Sequence, residues 1–264
     1  MKRPCFTLIE LLVVIATLAL LIAILLPPLR ISRQHAKAVL CGSNVKQLDL
    51  GLIMYETENE TFPYAFDDTP LEPPPRGYPG NFAFDRKGWW WFNYISDYSR
   101  KNKGKKASLW CPSRQVKDIR LKDYVLYGNY GVNQSVYKSA RGRKSHAEFV
   151  GTPLSSSNIP HPSQTLLIVD SGYSLISWWH VTDVPPVLLN STIEDTAFVP
   201  GLEINKKKDL WPGQHQDAIY GRHPSKSVNV GFADGHVRRK KADDLCVEKI
   251  ADDYKNKNPL WSPK

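Results

Sequence analysis

The sequence predicts an α+β protein in which a long, kinked N-terminal helix, able to cross a membrane at its start, packs on a mainly antiparallel, loop-rich domain. Three observations carry this expectation. In the apolar run from Phe6 to Leu29, Glu10 is the only charged residue. Beyond it, Cys41, Val45, Leu48, Leu52 and Tyr55 recur at alternating steps of four and three, the period of one helix face. From there on, short apolar stretches are punctuated by proline and glycine, and the last of them are joined by Asp234-Gly235, a hairpin signal.

A bilayer core of about 30 Å needs roughly 20 helical residues. Residues 11–26 contain nothing more polar than Thr17, so the run can span. A secretory signal would end in a small-residue cleavage site, whereas this run is entered by a glutamate and followed by Pro27-Pro28-Leu29-Arg30. A lipoprotein signal does not fit either, since Cys41 lies well beyond the run and follows Leu40. Lys2 and Arg3 form a positive flank that favours a cytoplasmic N-terminus. Glu10 is the costly residue, because a carboxylate in hydrocarbon needs a cationic partner or must reach the head groups. A cut between Cys5 and Phe6 would place a new ammonium one turn from Glu10; the alternative is a side chain that snorkels to the interface.

The run Phe6-Thr7-Leu8-Ile9-Glu10-Leu11-Leu12-Val13-Val14-Ile15-Ala16 resembles the N-terminus of type IV prepilins and type II secretion pseudopilins. The resemblance implies that a prepilin peptidase cuts before Phe6 and N-methylates it, and that Glu10 supports docking of other pilin-like subunits. Where these leaders carry glycine, this chain carries Cys5. It further implies a leader over residues 1–5, a transmembrane and amphipathic helix over 6–57, and a globular domain over 58–264. That domain would lie outside the cytoplasm, anchored in a bacterial inner membrane.

The 264 residues suffice for such a helix plus one ordinary domain, and 23% charged against 42% hydrophobic residues is a globular composition. Twenty prolines and eight tryptophans point to a loop-rich domain with an aromatic core. The net charge of +9 is concentrated at residues 100–106, 206–208 and 238–241. Such runs read as solvated loops or as a surface for an acidic polymer; no nucleic-acid motif accompanies them. Under the resemblance, Cys5 leaves with the leader, and Cys41, Cys111 and Cys246 sit in an oxidising space. The chain has no CxxC pair or close cysteine-histidine cluster, so no zinc site is expected and no cofactor is implied. A Cys41 to Cys111 bridge is the preferred pairing, with three buried thiols as the alternative.

Along the chain, Pro27-Pro28 is expected to kink or break the helix, which then resumes with Lys46, Asp49 and Glu56 off its apolar stripe and ends by Phe62-Pro63. Residues 67–80 read as an extended loop. Trp89-Trp90-Trp91-Phe92, with Tyr94 and Tyr98, forms either core or, if exposed, a platform for sugars. Residues 108–111 read as a strand ending at Pro112, 127–133 as a tight, backbone-close segment, and 139–146 as a basic exposed loop. Residues 164–169 read as a buried strand, Trp178-Trp179-His180 as a second aromatic cluster, and 184–208 as irregular. The hairpin is expected to turn on the two residues Asp234-Gly235.

Arg222-His223 ahead of Val230-Gly231-Phe232-Ala233-Asp234-Gly235-His236-Val237 resembles the C-terminal signature of a family of prepilin-like proteins, named for a histidine, nine residues and Asp-Gly. Here ten residues separate His223 from Asp234. Cys41 with Asn44-Val45-Lys46-Gln47-Leu48, and Trp110-Cys111-Pro112-Ser113, occur in that family's order. His223, Asp234, His236 and Asp170 carry the chemistry of a metal or acid-base site, but their spacing does not support one; Asp234 reads first as a turn former. No nucleophile elbow, phosphate loop or HExxH is present. The expectation is a non-enzymatic pseudopilin-like subunit of a type II secretion or type IV pilus-like assembly. The alternative is a membrane-tethered module that binds an acidic glycan or DNA. That alternative requires several of Trp89, Trp90, Trp91, Trp178 and Trp179 to face solvent.

Overall fold

The computed structural model describes residues 7–74, 87–96, 107–118, 121, 124–141, 144–183, 197–211 and 213–263. Cys5, Phe6, Tyr98, the basic run 100–106 and residues 184–196 lie outside them.

Helix α1 (Leu8–Asn59) is 52 residues long, roughly 80 Å at about 1.5 Å per residue. Thr7 caps it, and Glu60, left-handed at φ 65°, ends it. The helix is uninterrupted through Pro27 and Pro28, so the expected break does not occur. Proline's fixed φ is itself helical, and the remaining backbone bonds of a long helix hold the segment across two missing donors. Its first half stands clear of the domain: Leu8 is 78% exposed and Leu26 58%, and the stretch is long and apolar enough to cross a membrane.

The second half of α1 lies against the domain. Ala38, Cys41, Val45, Leu48 and Leu52 are buried there, as the stripe requires, while Tyr55 is half-buried. Asp49 and Glu56, expected off the stripe, are buried as well. The domain covers a wider face than the stripe defines. Ser156 donates its backbone N–H and its hydroxyl to Glu56 Oε1, each at 2.8 Å, which compensates that carboxylate for lost water.

The platform under α1 is a five-stranded sheet in the order β5-β3-β4-β6-β7, built from β3 (Tyr130–Asn133), β4 (Leu166–Asp170), β5 (Leu175–Ile176), β6 (Ser227–Phe232) and β7 (Val237–Lys241). All its pairings are antiparallel except β3 with β5. Earlier in the chain, β1 (Phe66–Asp67) pairs with β2 (Trp89–Trp90). A last hairpin joins β8 (Glu248–Ile250) to β9 (Asp253–Lys255). The molecule is therefore α+β, one long apolar N-terminal helix with a sheet-rich domain.

One core fills the space between α1 and the sheet, with Leu48, Leu52, Trp90, Trp91, Val132 and Ile168. A second lies on the opposite face, with Val169, Trp178, Val230, Leu245 and Trp261. Gly131 in β3 has no room for a side chain, since a Cβ there would come within 2.6 Å of the Tyr173 carbonyl oxygen. Arg238, Arg239 and Lys241 project from the edge strand β7, where charge discourages further strand pairing.

Three local expectations change. Residues 107–109 form a 3-10 turn, not a strand, because Cys111 N–H donates to the Asn129 side chain (3.0 Å) rather than to a ladder. The turn holds three residues between Phe232 and His236, not two: Gly235 N–H donates to Phe232 O (2.8 Å), Phe232 N–H donates to His236 O (3.0 Å), and Gly235 is left-handed at φ 83°. The loop expected over 139–146 begins buried, with Ser139 N–H donating to Phe149 O (2.8 Å).

Candidate functional site

Where α1 crosses the sheet, five segments bring polar side chains together in the dark. Cys41 comes from α1, Cys111 from the loop after the 3-10 turn, Asp170 from the end of β4, Arg222-His223 from the approach to β6, and Asn229 from β6 itself. All are buried. The sequence pattern explains three of these placements: Cys41 sits on the apolar stripe, Asp170 closes an all-buried strand, and Pro224 opens a 3-10 turn just after His223.

Cys41 and Cys111 are joined as a disulfide, Cα atoms 5.3 Å apart across 70 residues of sequence, which ties α1 to the domain. Around the bridge the environment is polar. Cys41 Sγ lies 3.1 Å from Tyr130 Oη and 3.3 Å from Asp170 Oδ1, and Cys111 Sγ lies 3.9 Å from His223 Nε2.

Asp170 is the hub. Its Oδ2 accepts from Asn229 N (2.6 Å) and Nδ2 (3.1 Å) and lies 3.1 Å from His223 Nε2; its Oδ1 stands 3.7 Å from Arg222 Nη1. Burial pushes this carboxyl up, but His223, Arg222 and the Asn229 amide outweigh it and hold Asp170 below the usual carboxylate range. Arg222 is itself locked. It donates from Nε and Nη2 to the two oxygens of Asp217 (3.0 and 2.6 Å), from Nη1 to Asn129 O (2.6 Å) and from Nη2 to Ser171 O (3.0 Å). A bidentate pair this well supplied is one of the few ways to keep a guanidinium dry.

No family model matches this chain, and neither a curated protein nor a solved structure matches it. His223 turns the same nitrogen, Nε2, to both Asp170 and Cys111, so its ring cannot carry a proton between them through opposite nitrogens as a nucleophilic triad does. His223 Nδ1 is buried and has no hydrogen-bond partner among the described residues. His223 and Arg222 also stand in the wall of a cleft of about 470 Å³ that carries Lys37, Ser113, Arg114 and Gln115 on its other sides.

The structure divides the four sequence candidates His223, Asp234, His236 and Asp170 into two pairs. His223 and Asp170 meet in the buried cluster. Asp234 and His236 pair with each other at the exposed hairpin tip, Nδ1 to Oδ1 2.5 Å, with the His236 ring stacked on Phe232 and Gly235 filling the left-handed turn position. Glu10 is taken up by the helix start. Thr7 donates its N–H (2.8 Å) and hydroxyl (2.7 Å) to Glu10 Oε2, and Glu10 N–H donates to Thr7 Oγ1 (3.2 Å), a reciprocal cap.

Trp90, Trp91, Trp178 and Trp179 are buried, and Trp89 is half-buried with its Nε1 donating to Glu72 O (2.9 Å). They are core, not platform. What the sequence reading missed is the company around the bridge: Tyr130, Asp217 and Asn229. Arg222-His223 was a signal for it, but nothing local marks Asn229 or Asp217.

Proposed function

We propose that this chain is a non-enzymatic, pseudopilin-like subunit held in the bacterial inner membrane, with a cytoplasmic leader and an extracytoplasmic domain. Prepilin peptidase would trim it between Cys5 and Phe6 and methylate Phe6, and other pilin-like subunits would receive it into a type II secretion or type IV pilus-like assembly. The observation that carries this reading is the division of labour along α1. One continuous helix leaves the apolar run 8–29 without cover and commits its second half to the sheet, with Cys41 fastened to Cys111. A free-standing apolar half of this length needs lipid or neighbouring copies of itself. The module that binds acidic glycan or DNA loses its aromatic platform, since four of its five tryptophans are buried.

Processing is the direct test. Coexpression with a prepilin peptidase should yield a mature chain whose first residue is N-methylated Phe6, read by mass spectrometry of the N-terminal peptide. A chain that still begins at Met1 beside an active peptidase overturns the reading.

A further inference from the structure

We propose that Cys41, Cys111, Asp170 and His223 form a site for a zinc-class divalent cation, open when the two cysteines are reduced and closed when they are joined. This inference does not rest on the pilin-like reading. One atom from each of the four side chains lies within 4.8 Å of the other three, and all four residues are buried. A tetrahedral ion with bonds of about 2.0 to 2.3 Å sets its donors about 3.3 to 3.8 Å apart. The chain holds Cys41 Sγ 3.3 Å from Asp170 Oδ1, His223 Nε2 3.1 Å from Asp170 Oδ2, and Cys111 Sγ 3.9 Å from His223 Nε2. The two sulfurs, bonded to each other in the closed form, must part to reach that spacing.

The surroundings suit thiolates and an ion better than they suit a disulfide. A disulfide sulfur has no proton to give the carboxylate 3.3 Å away, and needs none of the charge gathered around it. Two sulfurs, one imidazole and one carboxylate are the donor set of zinc and its neighbours, not of calcium or magnesium. The outer partners are already in place: Asn229 orients Asp170 through Oδ2, Tyr130 Oη stands 3.1 Å from Cys41 Sγ, and Arg222 faces Oδ1. With Nε2 on the ion, the proton of His223 moves to Nδ1, which is buried and has no hydrogen-bond partner among the described residues. Charge is conserved between the two forms. Two thiolates and a divalent ion add nothing net to Asp170, Arg222 and Asp217.

The steps balance. A dithiol reductant gives two electrons and two protons to the Cys41–Cys111 bond, yielding two thiols and its own disulfide. The ion then displaces two thiol protons and binds both sulfurs. Either state fastens α1 to the domain.

The test uses the full chain in detergent with Cys5→Ser and Cys246→Ser, so that only this cysteine pair remains. After reduction, cobalt(II) should produce a sulfur-to-metal charge-transfer band saturating at one ion per chain, and zinc should abolish it. The oxidised chain should show no band. Asn229→Ala should weaken cobalt binding about 10- to 100-fold. A reduced chain that keeps its fold and shows no band overturns the proposal, as does one that unfolds and is not refolded by zinc. A band that persists in the Asp170→Asn, His223→Gln double variant overturns it too.

Discussion

The carboxyl of Asp49 occupies the space that a side chain at position 231 would need: a Cβ on Gly231 would lie 2.9 Å from Asp49 Cγ. Asp49 is fully buried in the seam between α1 and β6, and neither of its oxygens has a hydrogen-bond partner among the described residues. Burial pushes its pKa from 3.8 up to about 8, opposed by Lys46 and reinforced by Asp234.

The fold therefore prefers Asp49 protonated, whereas the unfolded chain ionises it near 3.8. Stability should fall as pH rises from about 4 and level off above about 8, a penalty on the order of 5 kcal/mol at most. Asp49→Asn keeps the shape without the titration. Its melting temperature should exceed that of the wild type by a margin that grows between pH 5 and pH 8, measured on the full chain in detergent. A constant margin across that range would show that Asp49 does not titrate in the fold.

Gly231→Ala should destabilise by about 1 to 3 kcal/mol, because the new methyl meets Asp49 and also Ile168 Cγ2 at 2.8 Å. Combining it with Asp49→Ala should recover part of that loss, so a double-mutant cycle should give a coupling of at least about 0.5 kcal/mol. Strict additivity would mean that the helix simply shifts away.

Arg222→Ala should cost about 3 to 5 kcal/mol, since it leaves Asp217 buried without its bidentate partner and takes one positive neighbour from Asp170. Arg222→Lys should not restore the loss, because an ammonium cannot reproduce the fork on Asp217 together with the bonds to Asn129 O and Ser171 O. Denaturant midpoints measure both, and full recovery by lysine would reduce the role of this residue to charge alone.

At the other end of the chain, Glu10→Gln and Glu10→Leu should leave domain folding and cleavage intact; glutamine can keep the reciprocal cap with Thr7 and leucine cannot. Both should fail to assemble, although Glu10→Leu enters the membrane at least as readily. Crosslinking yields of oligomers from a reconstituted assembly system decide this. Wild-type yields from either variant would leave Glu10 as the helix cap alone.

Patterns confined to neighbouring residues were legible in the sequence. The apolar run of α1, the stripe through Cys41, Val45, Leu48 and Leu52, the buried strand before Asp170 and the hairpin around Asp234-Gly235 each follow from a period or a turn preference that a few residues express among themselves. Where the reading went astray, a distant partner decided the outcome. Asp49 and Glu56 lie inside because Gly231 leaves a space and Ser156 offers two donors; residues 107–109 are no strand because Asn129 takes the Cys111 amide. The buried cluster shows the same limit in full. Cys41, Cys111, Asp170 and His223 have no spacing that marks a site, and only the packing of α1, the loop at Cys111, β4 and the approach to β6 brings their side-chain atoms within 4.8 Å. Burial there makes every charge depend on a partner remote in the chain, and such dependence is a property of packing that no local pattern contains.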